Sequence, residues 1–139
     1  MRKIAAFLLT GLVSCVLAAP EIIVKDPWVR AVPPTMKNTA LFMVIENKGD
    51  TEDSLIDVKT EICNQSMIHK TENSNGVMKM VHVEKVVIPP KSTVVFKPGG
   101  FHVMLMGLKN PIKPGQMLKF TLIFEKTGAK TIEAPVKMK

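Results

Sequence analysis

Three features of this 139-residue sequence predict an all-β fold, an antiparallel β-sandwich or barrel. Turn signals recur every several residues along the chain: Pro33-Pro34, Asn47-Lys48-Gly49-Asp50, Asn73-Ser74-Asn75-Gly76, Pro89-Pro90, Pro98-Gly99-Gly100, Asn110-Pro111, Lys113-Pro114-Gly115 and Thr127-Gly128. Between them lie short runs rich in Val, Ile, Phe, Thr and Met, residue types that suit a pleated, half-buried surface. No window of helical length carries an apolar stripe of period 3.6.

The punctuation sets the elements in order. A first strand over 22–31 runs through Trp28 and stops before Pro33-Pro34. A second, 39–47, alternates through Thr39-Ala40-Leu41-Phe42-Met43-Val44-Ile45-Glu46 and ends at the Asn-Lys-Gly-Asp turn. Short strands over 54–59 and 65–70 follow, and the Asn75-Gly76 turn opens a long one over 77–87. Strands 92–97 and 101–106 flank Pro98-Gly99-Gly100. Strand 117–125 alternates through Met117-Leu118-Lys119-Phe120-Thr121-Leu122-Ile123-Phe124, and 130–137 closes the set after Thr127-Gly128.

The first eighteen residues are set apart from the fold. Met1-Arg2-Lys3 is a basic start, Ile4–Val13 is mostly apolar, and small residues follow. This is the pattern of a secretory signal peptide, too short for a spanning helix of about 20 residues. Cleavage after Ala18 leaves one domain over 19–139. A second reading stays open: Leu12-Val13-Ser14-Cys15 is also the pattern of a lipobox, in which Cys15 is lipidated and anchors the protein to the cell envelope.

Composition narrows the function classes. Hydrophobic residues at 46% and charged residues at 22% describe a globular chain. Removal of Arg2 and Lys3 with the leader leaves 17 basic and 12 acidic residues, a net charge of +5. The lysines are scattered, with no basic block and no interleaved aromatics, so no nucleic-acid partner is expected. Beyond the leader Cys63 is the lone thiol, which excludes an internal disulfide framework and suggests a buried side chain. No paired-carboxylate signature, Gly-rich phosphate loop or Ser/His/Asp set is recognisable, so no enzyme is expected. A monomer without a membrane span is expected.

Ten methionines and three histidines carry the chemistry. On a strand over Phe101–Met106, His102 and Met104 share one face, roughly 7 Å apart along the strand. That spacing suits two ligands of one ion, with Val103 and Leu105 turned to the core. A thioether is a soft, neutral donor that binds Cu(I) and contributes little towards Zn(II), Ca(II) or Mg(II). Two His and two Met carry no negative charge, which favours a monovalent ion held exchangeably. A blue-copper site needs a thiolate on a closely spaced ligand loop, and Cys63 has no such neighbours. The competing account is a metal-free β-sandwich binding module or lipid-anchored envelope scaffold, with the methionines as core filling.

The wider frame favours metal. His69, ten residues, Met80, twenty-one residues, His102, one residue and Met104 follow one another in that order. This frame resembles that of the periplasmic copper chaperone family PCu(A)C, H-x10-M-x21-H-x-M. Gly76-Val77-Met78-Lys79-Met80 is similar to the family's GVMKM element, and Lys97–Leu108 to its KPGGYHLMLMGL stretch. Trp28-Val29-Arg30-Ala31-Val32-Pro33-Pro34 resembles its WxRAxPP start and Asn47-Lys48-Gly49-Asp50 its NxGD turn. The resemblance implies a cupredoxin-like barrel in the periplasm, with Cu(I) on His69, Met80, His102 and Met104. It also implies copper carriage towards the CuA centre of cytochrome c oxidase, with Sco-type copper proteins and oxidase subunit II as partners. Two positions depart from the pattern. Met67 stands where the family usually has Glu, and is read as packing. His82 stands where Pro is common, and is read as a surface or supporting residue. The chain ends Pro135-Val136-Lys137-Met138-Lys139, so a His/Met-rich tail site is not expected.

Overall fold

The structure is a computed structural model that describes residues 18–139. Residues 1–17 of the leader, Cys15 among them, lie outside the described residues. Ten strands and no helix make up the described chain. They are β1 (Ile22–Arg30), β2 (Asn38–Asn47), β3 (Asp53–Lys59), β4 (Cys63–Ser74), β5 (Val77–His82), β6 (Val86–Ile88), β7 (Ser92–Phe96), β8 (Phe101–Leu108), β9 (Met117–Phe124) and β10 (Gly128–Lys137).

The hydrogen-bonded order is β5-β4-β8-β7-β2-β1-β10-β9-β3-β6. β10 joins the two halves: Gly128–Pro135 pair with β9, and Val136 and Lys137 pair with β1. Leu41, Met43 and Ile45 of β2 share one core with Leu55, Phe120, Leu122 and Phe124 of the other half, all at 2% exposure or less. Each such side chain contributes roughly 1.5–3 kcal/mol by leaving water. The all-β, cupredoxin-like expectation holds, as an open sandwich whose edges are β5 and β6.

Two details correct the strand reading. The expected strand 77–87 is two strands, because the chain leaves one sheet after His82 and joins the other at Val86. The Val83 N–H donates to Ile68 O (2.8 Å) at the crossing. Nor is the pairing wholly antiparallel. β1 lies parallel to β10 (Val29↔Val136), and β7 parallel to β8 (Phe96↔Phe101). The second pair has a plain cause. β7 and β8 both run antiparallel to β2, β7 along Met43–Asn47 and β8 along Asn38–Leu41. The chain loops out between them at Lys97–Gly100, so β2 changes partner at Phe42.

A bulge in β1 re-aims one aromatic side chain. Lys25 faces Val44 and Trp28 faces Phe42, three steps on β1 against two on β2. Asp26 takes φ 49° and Pro27 has no N–H to pair, so Asp26-Pro27 absorbs the extra residue. The bulge turns Trp28 onto the outer face beside Phe42, ring centroids 4.7 Å apart.

Candidate metal centre

Strand alternation builds the site on the outer face of the β5-β4-β8-β2 region. On β8, Val103 and Leu105 fill the core at 0% exposure, so His102, Met104 and Met106 point outward. On β4, Ile68 is buried at 3%, which leaves Met67 and His69 outward. The register then sets His69 opposite His102 and Met67 opposite Met104. β5 adds His82 opposite His69 and Met80 opposite Thr71, two residues on from His69 along β4. Met80 therefore lies diagonally one row from His69 on one side, and Met104 one row from His102 on the other.

Five rings cross the sheet in one line. Trp28, Phe42, His102, His69 and His82 come from β1, β2, β8, β4 and β5 in turn. Successive centroids are 4.7, 6.4, 5.8 and 6.2 Å apart. The Arg30 guanidinium sits over Phe42 at 5.4 Å and the Lys139 ammonium over Trp28 at 4.7 Å. These cation–π contacts cap the apolar end of the row.

Beside this row lies a cleft of about 270 Å³. Met80, His102 and Met104 line it together with Arg30, Met36 and Phe42, and Pro98 and Gly99 of the looped-out segment form part of its wall. His69 is absent from its lining and meets the group through His102. Phe42, where one edge of β2 passes from β8 to β7, lies in this lining.

The ring nitrogens suit a soft cation. His102 is 3% exposed and its Nδ1 lies 3.1 Å from Gly100 O. A carbonyl oxygen only accepts, so Nδ1 carries the proton and Nε2 keeps its lone pair. Nε2 is buried without a hydrogen-bond partner, and so is Nδ1 of His69. A buried polar atom left unpaired costs roughly 1–3 kcal/mol, and a metal bond would remove that cost. Gly100 O also accepts the Thr71 N–H (3.2 Å), which ties β4 to the carbonyl that orients His102. Such a carbonyl–imidazole contact is the usual outer support of a metal-ligating histidine. Burial, and then the neighbouring His102 and His82, hold the His69 imidazole below its ordinary 6.5, which favours the neutral, metal-binding form.

Among the described residues, no three His, Cys, Asp or Glu side chains are placed to hold an ion. The donors gathered beside the imidazoles are the thioethers of Met80 and Met104, which bind soft ions and contribute little towards hard divalent ones. Cys63 stands apart, buried at 5% with its thiol turned to Gln65 O (3.4 Å) and its pKa pushed up by burial. Met67 is half-buried against Met104, and His82 is exposed at the sheet edge.

Some cleft residues gave little signal in the sequence. Arg30 stands in the sequence within the Trp28–Pro34 resemblance and Phe42 within an alternating strand, neither marked there as a site residue. Met36 lies in a loop, where no periodicity marks it. The folded chain brings all three into one cleft with Met80, His102 and Met104.

An all-β sandwich of this topology, with imidazoles and thioethers gathered on one outer face, is a cupredoxin-like domain. Within that class, the chain belongs to the family described as "Putative lipoprotein LpqE-like", which matches residues 22–136. It is 32% identical to "Putative lipoprotein Lxx21020" of Leifsonia xyli subsp. xyli, over 95% of this chain and 86% of that one. Among solved structures, the copper-bound PCuAC domain from PmoF2 is similar at a TM-score of 0.74 and 29% identity, covering 88% of this chain and 97% of that one. The Cu(I) form of DR1885 from Deinococcus radiodurans is similar at 0.70 and 34% identity, covering 89% of this chain and 83% of that one. Among the described residues no helix is long and apolar enough to cross a membrane.

Proposed function

We propose that the protein is an exported copper carrier that holds Cu(I) on His69, Met80, His102 and Met104. The observation that carries this reading is the pair of buried, unpartnered ring nitrogens on the facing His69 and His102, with the thioethers of Met80 and Met104 lining the cleft beside His102. Likeness to a copper-bound PCuAC domain and to a Cu(I)-loaded protein supports the choice of metal.

The geometry suits carriage. His102 is held rigidly at the floor by Gly100 O, whereas Met80 is 59% exposed on the edge strand β5. Copper is the cargo. A neutral thioether at the surface gives way to an incoming ligand without disturbing the core strands. The recipient in this reading is the CuA centre on cytochrome c oxidase subunit II, with Sco-type proteins in the same route. The lipoprotein names of the family and of its relative from Leifsonia xyli support export to the envelope and the lipobox reading of Cys15; the compartment in this reading is the periplasm.

The test is anaerobic titration with Cu(I) against a competing chelator, on the wild type and on Met80→Ala and His102→Ala. A single tight site weakened in both variants is expected. Affinity untouched by either substitution would refute the ligand set. X-ray absorption should show nitrogen and sulfur around copper; a shell of nitrogen and oxygen alone would count against it.

A further inference from the structure

The cleft contains a thioether that the ligand frame leaves out. Met36 lies in the Ala31–Lys37 connection between β1 and β2 and lines the same space as Met80, His102 and Met104. The loop is braced. Pro33 and Pro34 fix two backbone φ angles, the Met36 N–H donates to Pro33 O (2.9 Å), and Lys37 O accepts the Leu108 N–H (2.8 Å). Met36 is thus carried on a fixed wall of the cleft, and its flexible side chain is the mobile part.

Depth orders the donors. Met36 and Met80 are 49% and 59% exposed, Met104 is half-buried, and His102 is 3% exposed. A cleft of about 270 Å³ is far larger than a bare ion needs. Two thioethers at the mouth and an imidazole at the floor make a graded path of soft donors. Arg30 also lines the cleft and takes part in none of the ion pairs among the described residues. A fixed cation beside the path disfavours multiply charged ions more than a monovalent one.

We propose that Met36 is a further soft-metal contact, the thioether through which a monovalent d10 cation enters and leaves the cleft. This rests on the copper-carrier reading and extends it to the exchange step. A bond from Met36 sulfur to the cation forms as the bond to the delivering ligand breaks. The cation then passes to Met80, Met104 and the imidazoles as the Met36 bond breaks. No electron moves and the charge stays at +1 throughout.

The test uses the mature protein labelled with 13C at the methionine methyl groups and titrated with Ag(I), a redox-inert soft monovalent ion. The methyl resonances of Met36, Met80 and Met104 should all shift, while that of the core residue Met43, 1% exposed, stays in place. Met80 and Met104 shifting without Met36 would overturn the proposal and leave the carrier reading intact. No methyl shift at all would overturn the carrier reading itself. Met36→Leu keeps the apolar volume and removes the donor, so it should fold normally. Its transfer of Ag(I) to a thiol acceptor should slow about tenfold, the factor that 1.4 kcal/mol gives. A transfer rate equal to wild type would also overturn the assignment.

Discussion

His69 and His102 face each other directly across the β4–β8 pair, ring centroids 5.8 Å apart, and each keeps one buried ring nitrogen without a partner. In a sheet, directly opposed residues form the closest cross-strand pair. Two imidazoles in that position gain little from each other. In the copper-carrier reading proposed above, the pair is half of a ligand set.

Because both rings would serve one ion, their substitutions should not add. His69→Ala and His102→Ala are each expected to lower Cu(I) affinity by more than the roughly 10–100-fold typical of losing a supporting contact. The double variant should lose clearly less than the product of the two, since neighbouring residues that share a partner couple. Competition titrations on all three variants measure this. Strict additivity would mean that the two histidines act at separate places.

The lowered pKa of His69 sets a pH dependence for the apoprotein. Folding holds this imidazole neutral, chiefly through burial, so the unfolded chain binds a proton more readily. Above the ordinary 6.5 the group costs nothing. As pH falls through that value towards the folded pKa, stability is lost, and below the folded pKa the loss levels off. Chemical denaturation from pH 8 to about 5 should show this decline, and His69→Gln should flatten it. An identical slope in the variant would place the sensitivity elsewhere.

Asp53 is an anchor of the fold on β3, in the other half of the sheet from the candidate ligands. Its carboxylate is 1% exposed and accepts N–H bonds from Ser54 (2.8 Å), Lys126 (2.8 Å) and Thr127 (2.9 Å) and the Thr127 hydroxyl (2.5 Å). Burial raises its pKa, but the bonds from Thr127, Lys126 and Ser54 together outweigh that and hold it below the ordinary 3.8. Asp53→Ala should destabilise the protein by roughly 3 kcal/mol through unsatisfied donors, with copper affinity unchanged in the folded fraction. The contribution of the carboxylate is present above the ordinary 3.8 and lost as pH falls through the lower folded value. Urea melts and copper titration of the same variant separate the two effects.

Cys63 should be chemically silent. It is 5% exposed and burial raises its pKa, so little thiolate forms. Alkylation at neutral pH should proceed only as fast as the protein opens, and Cys63→Ala should leave copper binding unchanged. Rapid labelling of the folded protein would contradict the burial.

Much of the fold is legible in the sequence, and the physical reason is locality. Turn residues punctuate the chain wherever backbone φ is constrained, as at Asn75-Gly76, where both residues take positive φ. Strand alternation has a period of two, so Val103 and Leu105 facing inward obliges His102 and Met104 to share the outer face. The fold class and the His-x-Met pair follow from such short-range rules. The inclusion of His69 and Met80 needed the longer frame, because spacing across ten and twenty-one residues has no local geometric meaning.

The remaining features exist only in the folded chain. The register of β4 against β8 puts His69 opposite His102 rather than one residue away, where it would face the core. The bulge at Asp26-Pro27 brings Trp28 beside Phe42, and the shared edge of β2 leaves Pro98 and Gly99 looped out as part of the cleft wall. Met36 enters that cleft from a loop, and Asp53 is buried by donors more than seventy residues away. Each depends on pairing between distant strands, which composition and periodicity do not encode. Short-range rules establish a β-sandwich with soft donors on one face, and long-range register selects which of those donors meet.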